Sequence, residues 1–304
     1  TLFPLREAYF FVCKYPHADK GNALDTVAHE THTRGWQAEL DLQFTRTTHK
    51  TVLASSHHHG PLTVQRPFYP EEDVCHLYLL HPPAGIVGGD ELHIAVTLDE
   101  NSHALITQPG AGKFYRSRGP QAQLRQHFTL APHATLEWLP QDTILFPGAN
   151  ATLQQSFTTE SHLFAWDLLC LGRPVLQETF SHGTLQNRLE VWRDGQPLLI
   201  ERLKLQGGDL SSIARHPWVG TLLCYPANEN ILEGVRERLT PLGNYAGATL
   251  NDALLTLRFL ADDNLAVQRV MRDIWQFVRP LLTQNLLSSR ESGKPKRTLM
   301  ELTP

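Results

Sequence analysis

The chain contains many stretches in which apolar and polar residues alternate. In residues 36–44, "WQAELDLQF", every second side chain is apolar. The same period of two recurs in the stretches 92–98, 122–128, 134–139, 185–192 and 198–205. Because successive side chains of a strand point to opposite faces, each stretch predicts a half-buried β-strand. Turn-forming sequences such as "PGAN" and "RDGQ" separate them, so we predict a mainly β fold of many short strands.

Two of these strands also predict how the fold is assembled. Residues 103–109, "HALITQP", resemble residues 133–140, "HATLEWLP", at a spacing of about 30 residues. Similarity at a fixed spacing is typical of stacked repeats, in which each repeat covers the previous one. We therefore expect a stacked, β-helix-like arrangement of strands and not one flat sheet.

Helical periodicity is confined to the C-terminal part of the chain. Residues 228–239 offer Asn228 as an N-cap followed by apolar residues on one face, and residues 262–280 repeat apolar side chains at helical spacing until Pro280. Since proline lacks the N–H that a helix interior uses, we expect the second helix to end there. The sequence thus predicts two α-helices in the C-terminal part.

The domain organisation follows from where the periodic pattern begins and ends. Residues 1–34 mix His, Thr and charged residues without a period, which predicts a peripheral, poorly ordered N-terminal extension. Residues 35–286 contain no long Pro- or Gly-rich linker, so we predict a single domain there. The Ser-, Arg- and Lys-rich residues 287–304 predict a frayed C-terminal tail.

Composition narrows the class of protein. With 304 residues, 41% of them hydrophobic, the chain can bury a core without a disulfide or a structural metal. Its 27 Lys and Arg against 31 Asp and Glu give a net charge of −4, so no general attraction to nucleic acid or anionic lipid is expected. The four cysteines form no C-x-x-C pair and are expected to be buried in a reducing compartment. Neither a signal peptide nor an apolar run of ~20 residues is visible, which predicts a cytoplasmic protein without a membrane partner.

The glycine-rich turn at 107–119, "TQPGAGKFYRSRG", resembles a phosphate-binding loop in its Gly110, Gly112 and Lys113. A Walker A loop requires a first glycine where Thr107 stands and a hydroxyl where Phe114 stands. A helix should also follow, whereas an alternating strand pattern follows here. We therefore interpret the segment as a β-turn, and we keep a nucleotide-dependent enzyme as the alternative.

The "HHH" cluster at His57–His59 is the other candidate for chemistry. On a strand, His57 and His59 share one face and could offer two imidazoles to nickel or zinc. A solvated turn before Gly60 is the favoured interpretation, because two ligands without a third rarely form a site. A metal-dependent enzyme that uses these histidines is kept as part of the same alternative.

Longer blocks identify a family. "GPLTVQRPFYPEE" (60–72), "LHPPAGIVGGDEL" (80–92), "LEWLPQDTILFPGA" (136–149) and "WDLLCLGRP" (166–174) resemble the UreD (UreH) family of urease accessory proteins, above all its enterobacterial members. The resemblance runs from about residue 35 to about residue 280. Residues 1–34 depart from it, because such proteins usually begin shortly before residue 35; an upstream start and a fused segment are the two explanations.

The resemblance implies a non-catalytic chaperone with a β-rich, helix-like stack of strands. Such proteins bind apo-urease subunits on one side and UreF on the other, and they reach the GTPase UreG through UreF. Together these proteins install the nickel centre of urease. No permanently bound cofactor is then expected, only nickel in transit, and the absence of a P-loop is expected as well.

The resemblance also implies an internal passage for nickel, and acidic residues that interrupt apolar strands are candidates to line it. Asp167 lies within "LFAWDLLCLG", Glu201 within "LLIERLKL", and Asp90 closes the turn of "IVGGDEL"; His58 is a weaker candidate near the mouth. A buried carboxylate is costly unless it is paired or ligated. The alternative is simple pairing, with Arg173, Arg188 or Arg202 as partners, or a turn role for Asp90.

Overall fold

The computed structural model describes residues 35–292, with side chains described as far as residue 281. The predicted N-terminal extension, residues 1–34, therefore lies outside the described residues, and so do residues 293–304 of the predicted tail. Within the described part, strands dominate and form two sheets that the chain visits in alternation.

The smaller sheet has seven strands in the spatial order β15-β14-β11-β8-β5-β1-β2. The five inner strands run parallel, and β2 and β15 close the two ends as antiparallel neighbours. The bounds of the strands are β1 Gln37–Arg46, β2 Thr51–His59, β5 Glu91–Leu98, β8 Ala122–Leu130, β11 Asn150–Thr159, β14 Thr184–Arg193 and β15 Gln196–Gln206.

The larger sheet has eleven strands, with the main order β17-β18-β16-β12-β9-β6-β4-β3. Its bounds are β3 Thr63–Val64, β4 Cys75–Leu80, β6 His103–Thr107, β7 Gly112–Phe114, β9 Thr135–Leu139, β10 Thr143–Leu145, β12 His162–Arg173, β13 Glu178–Thr179, β16 Trp218–Tyr225, β17 Ala246–Asn251 and β18 Leu254–Ala261. The long strand β12 pairs with β9 through its first half and with β10 through its second half.

The parallel ladders make the strands a β-solenoid of about four turns. The predicted mainly β, stacked, helix-like arrangement is therefore confirmed. The two similar segments that suggested stacking do form adjacent parallel strands, β6 and β9, but His103 pairs with Thr135 and not with His133. The sequence similarity thus predicted which strands are adjacent but not their register, which depends on side-chain packing.

Apolar side chains fill two cores, as the alternating pattern requires. Residues 38, 40, 42 and 44 of β1 are buried. The ring of Phe128 stacks on Phe157 at a centroid distance of 4.7 Å and packs at a tilt against Trp138 at 4.8 Å. Burying one such side chain contributes about 2–3 kcal/mol. A second core, which includes Val235 and Ile274, lies between the larger sheet and the helices. Three of the four cysteines, Cys75, Cys170 and Cys224, are buried and free as predicted, and Cys13 lies outside the described residues.

Both predicted helices are present. Helix α1, Glu229–Glu237, begins at Asn228, whose side chain accepts the N–H of Ile231 at 3.0 Å. Helix α2 covers Asn264–Ser292 and continues through Pro280, so the predicted end at Pro280 was wrong. The proline leaves the carbonyl of Gln276 without its helical donor, but Gln276 is exposed and water can satisfy that carbonyl.

A buried ion cluster fastens α2 to the larger sheet. Glu137 on β9 accepts hydrogen bonds from Trp275 Nε1 at 2.6 Å and from Arg279 Nε at 2.9 Å. His103 Nε2 on β6 lies 2.7 Å from the same carboxylate. Arg279 also pairs with Glu71 at 2.7 Å. These contacts anchor α2 to the larger sheet immediately before Pro280.

Candidate functional site

Two partly open cavities of about 330 Å³ each share one lining residue. The first lies between the sheets and is lined by residues of β12, β14, β15, β16 and β18, among them Asn187, Glu201 and Arg258. The second opens between the loop 81–86 and the turn 108–113, and it reaches inward to Gln126 and Trp138. Asp167 of β12 lies on the wall of both cavities.

The environment of Asp167 leaves its charge poorly compensated. The residue is partly buried, and Asn187 Nδ2 donates a hydrogen bond to its Oδ2 at 2.7 Å. Burial is the main cause that raises the pKa of Asp167 to about 6; the Asn187 hydrogen bond lowers the pKa and the negative charge of Glu201 raises it, and both effects are included in that value. At neutral pH Asp167 is therefore an ionised carboxylate in an interior that disfavours the charge.

Glu201 lies at the outer end of the first cavity. Its carboxylate forms an ion pair with Arg258, with Nε at 2.9 and 3.1 Å from the two oxygens and Nη2 at 2.9 Å. The pair joins β15 of the smaller sheet to β18 of the larger one. Two carboxylates that the sequence singled out, Asp167 and Glu201, are thus brought to one cavity.

The inner part of the second cavity is polar. The side chains of Gln126 and Gln155 are buried and hydrogen-bonded to each other at 2.9 Å. The indole N–H of Trp138 is fully buried and has no hydrogen-bond partner among the described residues. Buried donors are normally satisfied by protein or water, and a cavity of this size with such groups can hold several water molecules. The arrangement suits water or a small hydrated ion.

The other two predicted passage residues lie outside these walls. Asp90 is buried and accepts the backbone N–H groups of Trp36 and Val87, each at 2.8 Å, as a turn residue does. It still acts on the second cavity, because burial lowers the pKa of His81 on its wall and the charge of Asp90 partly offsets that effect. His58 is exposed on the edge strand β2.

The alternative of simple pairing holds for Glu201, which forms an ion pair with Arg258, but the three arginines named as partners were wrong. Arg173 pairs with Glu178, and Arg188 pairs with Glu190. Arg202 lines the first cavity, but Asp167 is bonded by Asn187 and Glu201 by Arg258. Neither Asn187 nor Arg258 was expected, because partners that come from the other sheet have no signal in the local sequence.

The segments considered for enzyme chemistry have ordinary structural roles. The glycine-rich turn leads into the short strand β7 and then β8, without the helix that a P-loop requires. His57 and His59 lie opposite Asp41 and Glu39 on the exposed face of β1 and β2. Within residues 35–292 no three His, Cys, Asp or Glu side chains are grouped to hold a metal ion.

Comparison with known proteins identifies the family. The family model described as "UreD urease accessory protein" matches residues 37–291, nearly all of the described part of the chain. The chain belongs to the UreD family. A relative from Citrobacter koseri, named urease accessory protein UreD, is 78% identical over 271 residues, which cover 88% of this chain and 95% of that protein.

More distant UreD proteins match over a similar length. A relative from an Enterobacter species is 69% identical over 82% of this chain and 92% of its own length. One from Pseudomonas putida is 48% identical over 85% of this chain and 94% of its own length. The predicted family and the similarity to enterobacterial members are confirmed, and a UreD protein has an accessory role in urease maturation. No helix in the part of the chain that the structure covers is long and apolar enough to cross a membrane.

Proposed function

We propose that this UreD protein is a non-catalytic, cytoplasmic scaffold that conducts nickel to apo-urease through the two cavities that meet at Asp167. The observation that carries the proposal is the position of Asp167 on both walls. A passage for a divalent cation needs carboxylate oxygen ligands in an enclosed, hydrated channel. Nickel is the cargo and not a resident cofactor.

The electrostatics of the first cavity support this proposal. An interior carboxylate that no cation neutralises is unfavourable for folding, so its retention calls for a functional reason. Asp167 and Glu201 bring two negative charges to the same cavity, and the charge of Glu201 acts on Asp167. A divalent cation would relieve the repulsion between them and bind there transiently.

The family resemblance supports a proposal for the binding partners. We propose that apo-urease subunits bind one side of the scaffold and UreF the other, with UreG recruited through UreF. In this arrangement each end of the passage would open onto a partner, and the metal would not escape to water. A nucleotide-binding assay on the isolated chain tests whether GTP binding is left to UreG. Tight GTP binding by this chain would favour the enzyme alternative.

The passage is tested by removing its two charges. In a reconstituted or co-expressed maturation system, the double variant Asp167→Asn, Glu201→Gln should lower the nickel content of urease at least several-fold. Copurification with UreF and apo-urease should stay unchanged, since both residues line the cavity and are only partly exposed.

The matched control is Glu39→Gln, Asp41→Asn, which removes the same charge from the exposed face of β1. It should leave nickel loading unchanged. Full nickel loading by the Asp167, Glu201 double variant, in a complex that assembles normally, would rule out the proposed passage.

A further inference from the structure

The first cavity ends in an ion pair that occupies the outer carboxylate. Arg258 contacts both oxygens of Glu201 through Nε and reaches Oε2 through Nη2 at 2.9 Å. The two side chains are 44% and 30% exposed, so the pair lies at the boundary between cavity and solvent. The guanidinium therefore stands where a cation bound to Glu201 would stand.

Strand register places this pair in line with Asp167. Asp167 on β12 is opposite Thr221 on β16, and Thr221 is opposite Arg258 on β18. Residues in register on adjacent strands project from the same face of a sheet, and all three line the first cavity. The row thus leads from a carboxylate that has only an amide donor to an arginine at the mouth of the cavity.

We propose that Arg258 is a latch that competes with the metal ion for Glu201 and keeps the mouth of the first cavity closed to free cations. This inference rests on the proposed nickel passage and adds its regulation. An arginine stays charged at cellular pH, so it repels a divalent cation until it moves off the carboxylate. A partner that offers another acceptor to the guanidinium would open the latch at the moment of docking.

The strength of the pair suits a latch. Partly exposed ion pairs are typically worth ~1 kcal/mol or less because water competes for both groups. Arg258 can therefore leave Glu201 at little cost, whereas an arginine locked in the interior could not. Arg202 is a second arginine on the same cavity, but its side chain is exposed and Glu201 is bonded to Arg258 instead. This neighbour offers a matched control of equal charge.

The test is a calorimetric titration of the purified full chain with Ni²⁺ alone, at pH 7.5 and low salt. Arg258→Met should bind Ni²⁺ about tenfold more tightly than the wild type, and Arg202→Met should change the affinity less than ~3-fold. Arg258→Met combined with Glu201→Gln should lose the gain, because the freed carboxylate is then absent. Thermal melting without metal identifies any variant that is not folded, and Arg258→Gln then replaces it.

The outcomes separate this inference from the proposed function. Unchanged Ni²⁺ affinity in Arg258→Met, or an equal gain in Arg202→Met, would overturn the latch even if Asp167 and Glu201 prove necessary for nickel loading. Conversely, normal urease loading by the Asp167, Glu201 double variant would overturn the passage, whatever the titration of Arg258→Met gives. A tenfold gain that depends on Glu201 supports the latch.

Discussion

Glu137 and Asp167 are both enclosed carboxylates, on the neighbouring strands β9 and β12 of the larger sheet, and the protein treats their charges in opposite ways. Glu137 is 1% exposed and is surrounded by His103, Trp275 and Arg279. Burial raises its pKa, but the contacts with these side chains outweigh burial and lower it. Asp167 has a neutral amide partner, and its pKa rises to about 6.

The difference separates a structural carboxylate from one available to a ligand. The charge of Glu137 is used entirely in joining α2 to the sheet, so no lone pair is free for a cation. Asp167 lines two cavities, has the neutral amide of Asn187 as its hydrogen-bond donor and has the anionic Glu201 nearby. Regions that lower the stability of a fold at neutral pH are where functional groups are found.

The largest expected effect comes from neutralising the structural carboxylate. Glu137→Gln should lower the free energy of unfolding by about 3–5 kcal/mol, because it leaves buried cationic and polar partners without their anion. Urea denaturation at pH 7.5 measures the change. The exposed Glu160→Gln is the control and should stay within about 0.5 kcal/mol of the wild type. A cost below ~1 kcal/mol for Glu137→Gln would contradict the structural role.

Neutralising Asp167 should instead raise the free energy of unfolding at neutral pH. The rise of the Asp167 pKa from 3.8 to about 6 corresponds to up to ~3 kcal/mol of destabilisation by the ionised group. The folded state holds the proton more tightly than the unfolded chain, so this cost is present above pH 6 and disappears below about pH 4. Asp167→Asn should therefore stabilise the protein at pH 7.5 and have little effect at pH 4. Equal shifts at both pH values would refute the assignment.

Removing Asn187, the amide partner of Asp167, should have a smaller effect on the free energy of unfolding. Asn187→Leu removes the hydrogen bond to Asp167 and should cost about 1–2 kcal/mol at neutral pH. It should also raise the pKa of Asp167 further, which carboxyl ¹³C NMR measures during a pH titration. Gln186→Leu changes the adjacent, exposed residue and serves as the control. If the two variants titrate alike, Asn187 does not support the charge.

The smallest effect is expected at the rim of the structural cluster. Burial raises the pKa of Glu71, but the contacts with His76 and Arg279 outweigh it and lower the pKa to about 2. Because the side chain is 36% exposed, Glu71→Gln should cost no more than ~1 kcal/mol at pH 7. The depressed pKa means that this contribution is lost as the pH falls from about 4.5 to about 2. Urea denaturation at pH 7 and pH 3 measures this contribution. If Glu71→Gln costs as much stability as Glu137→Gln, the two carboxylates do not differ as proposed.

The sequence by itself determined the elements and their manner of stacking. Alternation in 36–44 and its counterparts predicted strands, and Asn228 predicted the start of α1, because both signals act between residues a few positions apart. It also selected Asp167 and Glu201 as acids within apolar strands. The same criterion applies to Glu137 in "ATLEWL", which was not selected and proved to be structural.

Only the tertiary structure decided what each of these carboxylates does. The partners lie far away along the chain: Asn187 is 20 residues from Asp167, Arg258 is 57 from Glu201, and Arg279 is 142 from Glu137. A carboxylate within an apolar strand has the same local pattern whether a cation or a cavity faces it. The pKa of such a carboxylate depends on the groups that packing brings within a few ångströms, since electrostatic interactions depend on distance and burial and not on sequence separation.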